Sequence, residues 1–85
     1  MEVQLVSPEA ILYEGEATMV VCRTIGGGDI AFLRGHAPFT GALEDHQVTV
    51  RTVDRGDVTF DVHGGFVEVS NDTVTILSDA AEAPA

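Results

Sequence analysis

Asp29 and His36 bracket the short apolar run at residues 30–33 and are the pair of side chains in this chain that could act as acid and base. Acid–base work needs a cleft that moves a pKa. Fourteen Asp and Glu among 85 residues must mostly form a solvated shell. Asp29, directly after Gly26-Gly27-Gly28, is equally a turn residue bonding its own backbone. His36, His46 and His63 carry imidazoles that suit a metal. None stands in an H-x-H or H-x-x-x-H pattern, and their separate loops give no reason to meet. Cys22 lies in the most apolar run, where a thiol behaves as a small hydrophobe with a raised pKa. Ser7, Ser70 and Ser78 have no neighbouring base and no nucleophile-elbow glycines. The three glycines invite a phosphate, but a phosphate cradle asks for a following helix N-terminus and usually a lysine. Asp29 and a strand follow instead. No catalytic, cofactor-binding or metal-binding residue is assigned, and no cofactor is expected.

Composition narrows the partners. The formal net charge is -10, and the four basic residues, Arg23, Arg34, Arg51 and Arg55, are all arginine. Phosphate backbones repel such a surface, so no nucleic acid is expected, and anionic membrane surfaces are disfavoured too. No apolar run approaches the ~20 residues of a membrane-spanning helix, and the first residues lack a signal-peptide pattern. One cysteine forms no internal disulfide. A cytosolic chain is the simplest reading.

The elements that must position these side chains are strands. Period-2 alternation runs through most of the sequence, at residues 2–7, 47–53 and 58–62 most clearly; 11–14, 66–70 and 73–78 read as further strands, 30–33 as a short apolar strand and 39–43 as a weak one. Residues 18–24 are apolar on both parities, as in a central strand buried on both faces. Asp54-Arg55-Gly56-Asp57 and Asn71-Asp72 are turn signals. Gly15 reads as a strand terminator. The expected fold is an all-β, antiparallel flattened sandwich or barrel of about ten short strands over residues 1–79, with a disordered tail at 80–85. No internal repeat stands out. A domain of this mass exposes roughly 4,900 Å², and two interfaces of about 800 Å² each take a third of it. A wedge between two partners is compatible with that size.

The residues also carry a resemblance. Leu5-Val6-Ser7-Pro8-Glu9, Tyr13-Glu14-Gly15-Glu16, Gly28-Asp29-Ile30, Leu33, Gly35-His36-Ala37-Pro38, Gly64-Gly65-Phe66-Val67-Glu68-Val69 and Val74-Thr75-Ile76-Leu77-Ser78-Asp79 occur in collinear order. Together they resemble the N-terminal domain of the epsilon subunit of F-type ATP synthase. The resemblance implies a ten-stranded sandwich at the foot of the rotating central stalk, a peripheral part of the complex at the cytoplasmic face of the membrane. Such a domain binds the gamma subunit and the c-ring, helps couple proton flow to rotation and ATP synthesis, and does no chemistry itself. By position, the resemblance gives Gly28, Asp29, Ile30, Gly35, His36, Ala37 and Pro38 to the c-ring. It gives Ser7, Gly64 and Gly65 to gamma, with His36 near the gamma side as well. The family commonly has Gly where Ala31 stands and Pro where Arg34 stands, which implies a less tightly bent, more polar loop here. The family's helical hairpin, with its ATP binding and its inhibition of hydrolysis, falls outside these residues and is not carried over. A stand-alone ligand- or metal-binding sandwich is the alternative.

Overall fold

The computed structural model describes residues 1–82, all strand, turn and loop. Nine strands follow in order: β1 (Glu2–Val6), β2 (Ile11–Thr24), β3 (Gly28–Leu33), β4 (Phe39–Ala42), β5 (His46–Thr52), β6 (Asp57–His63), β7 (Phe66–Ser70), β8 (Thr73–Leu77) and β9 (Ala80–Glu82). About ten were expected, and the separate strands at 11–14 and 18–24 prove to be one. Gly15 does not end it: the residue stays in the ladder opposite Val3. The Tyr13 side chain folds over Gly15, its hydroxyl oxygen 3.4 Å from where a Cβ would stand, and donates to the Glu16 carbonyl at 3.0 Å. The glycine makes room for an aromatic ring.

β2 turns one continuous sheet into a sandwich. Its first half pairs with β1, its second half with β3 and β5. The ladder to β5 slips between Ala17 and Met19, leaving Thr18 as the extra residue of a bulge, which is how a strand bends from one layer into the next. One layer runs β4-β7-β8-β1-β2 and the other β3-β2-β5-β6-β9. Between them Val3, Leu5, Val20, Phe32, Val50, Val67, Val74 and Ile76 are fully buried. At the far corner Thr24 bridges Leu43, and the Leu43 N–H donates to the Gly65 carbonyl.

The tail expected from residue 80 is corrected by β9, which pairs with β6 through Asp61, Val62 and His63. Buried Ser78 anchors it, its hydroxyl donating to the Ala80 carbonyl at 2.6 Å, and Ala81 packs on the core. Residues 83–85 lie outside the described residues.

A short repeat is visible in the pairing. Arg23-Thr24-x-x-x-Gly28-Asp29 recurs as Arg51-Thr52-x-x-x-Gly56-Asp57. Both segments are β-hairpins, β2–β3 and β5–β6. In each, the arginine pairs with the aspartate directly opposite, Nε to Oδ1 at 2.9 Å and 3.0 Å. In each, the buried threonine hydroxyl donates to the glycine carbonyl, at 3.3 Å and 2.7 Å. Gly28 and Gly56 share a φ near 70° (72° and 71°), conformations that suit glycine. Val20, Ile30 and Phe32 match Val48, Val58 and Phe60 in turn. Val21 and Thr49, which also correspond, are paired to each other. The four strands β3-β2-β5-β6 are therefore related by an approximate two-fold axis passing between those two residues.

Candidate docking surfaces

Asp29 is bound within its own hairpin. The Arg23 Nε donates to Oδ1 at 2.9 Å and Nη2 to Oδ2 at 3.4 Å. The Arg23 hydrogen bond, opposed by desolvation and aided by the charges of Arg23 and His46, holds the carboxyl below the usual carboxylate range. The expected bond to its own backbone is replaced by this cross-strand pair. Gly28 and Asp29 are exposed, while Ile30 turns its side chain toward the core.

His36 lies at the other end of β3. Asp29 stands near the start of β3 and His36 in the turn beyond its end, with the four strand residues Ile30–Leu33 between them. Asp29 to Leu33 alone is roughly 14 Å at 3.4 Å per residue, so the sandwich does not assemble an Asp29–His36 acid–base pair. The turn there is tight: the His36 N–H donates to the Leu33 carbonyl at 3.0 Å, with Gly35 at φ 79° as a type II turn requires. The His36 Nδ1 donates to the Ala37 carbonyl at 2.7 Å, which fixes the tautomer. The imidazole meets Phe32 edge to face, centroids 5.0 Å apart. Asp72, in the β7–β8 turn, accepts the Gly35 N–H at 3.0 Å.

His46 and His63 share an open cleft with Asp45, Asp61 and Glu82, away from His36. Among the described residues no three His, Cys, Asp or Glu are grouped to hold a metal ion. Burial, then the charge of Asp29, pushes the Cys22 thiol up to about 12, leaving it an inert part of the core.

Ser7, Gly64 and Gly65 gather at the end of the sandwich that also holds the β2–β3 turn. Ser7 exchanges backbone hydrogen bonds with Ala10, and the Ser78 N–H donates to the Val6 carbonyl. The Ser78 Oγ also lies 3.3 Å from the Gly64 carbonyl oxygen. Beside them runs a feature that spans the whole first layer. Phe66 is paired with Ala42 and Leu77, Leu77 with Val6, and Val6 with Ile11. Neighbours Val67, Ile76 and Leu5 point inward, so this row points out. Ile11, Phe66 and Leu77 are 64%, 56% and 54% exposed. The next outward row, Thr40, Glu68, Thr75, Gln4 and Glu14, is polar.

A family model for the "ATP synthase, Delta/Epsilon chain, beta-sandwich domain" matches residues 1–84. The chain belongs to this family. It is 43% identical over 82 residues to the ATP synthase epsilon chain of Streptomyces griseus, covering 96% of this chain and 65% of that one. It is 42% identical over 81 residues to the epsilon chain of Micrococcus luteus, covering 95% and 88%. The chain thus spans just under two thirds of the streptomycete relatives. The fold superposes on a chain of the Euglena gracilis mitochondrial ATP synthase OSCP/F1/c-ring structure with TM-score 0.86 at 19% identity, covering 95% of this chain and 51% of that one. A Tetrahymena thermophila mitochondrial ATP synthase central stalk/c-ring structure gives 0.80 at 19%, covering 96% and 65%.

In this epsilon-type sandwich the surface features that sequence reasoning did not single out are the apolar row and the Asp72 contact to Gly35. The row does leave a signal. Leu5-Val6, Ile11-Leu12, Phe66-Val67 and Ile76-Leu77 are apolar doublets in strands that are otherwise half polar. With a period of 2, one member of each doublet must face solvent. Asp72 leaves no such trace, because its partners are distant in sequence.

Proposed function

We propose that this chain is the sandwich of a non-catalytic rotor subunit of an F-type ATP synthase, joining gamma to the c-ring and coupling proton translocation to ATP synthesis. The family match over residues 1–84 carries the reading. The complex is membrane-associated, and the chain sits at the cytoplasmic face, held there only through its partners.

The geometry supports two faces. Gamma covers the row from Ile11 to Phe66 together with Ser7 and the Gly64-Gly65 corner, which removes an apolar strip from water. The c-ring meets the chain along β3. Among the described residues β3 pairs with β2 alone, so its outer edge offers backbone groups without a strand partner there, from Gly28, Asp29 and Ile30 to the loop of Gly35, His36, Ala37 and Pro38. Two contacts of about 800 Å² each fit on the 4734 Å² of this molecule.

Co-purification tests the reading. Immobilised chain should retain gamma, and gamma plus c-ring more tightly, at low and moderate salt. Failure to retain gamma at either salt overturns it.

A further inference from the structure

We propose that Asp72 is the positioning residue of the Leu33–His36 turn, clamping it in the place from which it docks. The docking half of this inference rests on the function proposed above; the clamp does not.

Two of the hydrogen bonds at this turn are local. His36 to Leu33 and His36 Nδ1 to Ala37 give the loop its shape, but a shaped loop still swings on its two strands. From residues 34–38, the Gly35 N–H to Asp72 Oδ1 bond, 3.0 Å, is the one hydrogen bond to another element among the described residues. The second carboxylate oxygen is 3.7 Å from Arg34 Nε and 3.9 Å from the Met1 amine. An ionised acceptor makes a stronger bond than a neutral one. Inside, the buried Phe32 ring supports the imidazole. The turn is therefore fixed from two sides, by Phe32 against His36 and by Asp72 against Gly35. The shape of the β7–β8 turn makes this reach possible. Asn71 and Asp72 hold φ 52° and 57°, the pattern of a type I′ hairpin, which aims the Asp72 carboxylate across the layers at a loop on β3.

Asp72→Gly and Asp72→Asn separate position from fold. The first removes the acceptor yet leaves an Asn-Gly pair, the most favourable I′ turn. The second keeps a neutral acceptor. In the glycine variant, amide hydrogen exchange at Gly35 should rise about tenfold or more, as loss of a charged hydrogen bond implies. Exchange at Thr24 and Gly28 and the melting midpoint should hold. Asp72→Asn should restore most of the Gly35 protection. Docking on a gamma–c-ring subassembly should weaken about tenfold in Asp72→Gly and less in Asp72→Asn. Unchanged Gly35 exchange in Asp72→Gly overturns the clamp, and faster exchange with unchanged docking overturns its positioning role. If the wild-type chain fails to dock, the proposed function and the positioning role fall together, while Gly35 exchange still decides the clamp.

Discussion

Asp29 meets Arg23 at two points across the β2–β3 hairpin, Nε to Oδ1 at 2.9 Å and Nη2 to Oδ2 at 3.4 Å. The hydrogen bond leads the effects that hold its carboxyl below the usual range. A folded pKa lower than the unfolded one means that the pair stabilises the fold above the ordinary aspartate value, about 3.9. That stabilisation is lost as pH falls through the folded value. The pair is exposed, so the effect is small and weakened by salt. Melting midpoints at low salt should fall more steeply below about pH 4 in the wild type than in Asp29→Asn. Superimposable curves would show that the pair contributes no stability.

Thr24 and Thr52 occupy equivalent places, and their bonds differ in a way that ranks them. Thr52 donates to Gly56 at 2.7 Å and accepts the Arg55 N–H at 2.8 Å, whereas Thr24 donates to Gly28 at 3.3 Å. Each replacement by valine keeps the shape and removes the part-buried side-chain hydrogen bonds of the threonine, at about 0.5–1.5 kcal/mol per bond. Urea denaturation should place Thr52→Val about 1 kcal/mol below Thr24→Val. Equal losses would mean that the two hairpins are equivalent in energy despite their different bond lengths.

Gly65 is a matter of architecture before contact. Its φ is 111°, and a Cβ there would strike the Leu77 carbonyl oxygen and come within 2.7 Å of Ser78 Cα. Gly26 has φ 80° and open space around it. Gly65→Ala should cost about 2–5 kcal/mol, combining backbone strain with overpacking. Gly26→Ala should cost about 1 kcal/mol. A Gly65→Ala variant as stable as Gly26→Ala would show that the corner has slack.

The fold was legible where side chains alternate. Val48, Val50 and Thr52, or Val67 and Val69, announce their inward face, and the Asn71-Asp72 turn follows from its residue types. Legibility failed where tertiary contacts overrule a local rule. Gly15 ends a strand in isolation but passes under Tyr13 here, and Ala80–Glu82 has nothing to bury alone but finds the edge of β6. The residues proposed for docking form a stretch in the sequence and not a single surface in the fold. Gly28 and Pro38 are ten residues apart in sequence, yet β3 carries them to opposite ends of the molecule, and Gly28 shares its end with Gly65 through the Thr24–Leu43 bridge. The repeat is short in the sequence, Arg-Thr-x-x-x-Gly-Asp twice, and it gains meaning from the pairing, which sets Arg23 and Arg51 in equivalent hairpins.

Leu77 and Phe66 are opposite each other on β8 and β7, and both expose more than half of their surface while Val67 and Ile76 beside them expose none. A solvent-facing apolar pair gives the isolated chain nothing, so replacing it should leave stability within about 0.5 kcal/mol. An interface centre behaves differently, since a buried anchor there is worth about 2 kcal/mol or more. Phe66→Glu and Leu77→Glu add a charge as well as removing the apolar group, in a position flanked by polar Glu68 and Thr75. Each should lower retention of gamma at least about tenfold, with the melting midpoint nearly unchanged. Val53→Glu is the control: it is 67% exposed but sits in the β5–β6 turn, away from this row. Its gamma retention should equal the wild type. If all three variants bind gamma alike, the row is not the gamma face. If Val53→Glu alone loses binding, that face lies on the other layer, at the hairpin tip.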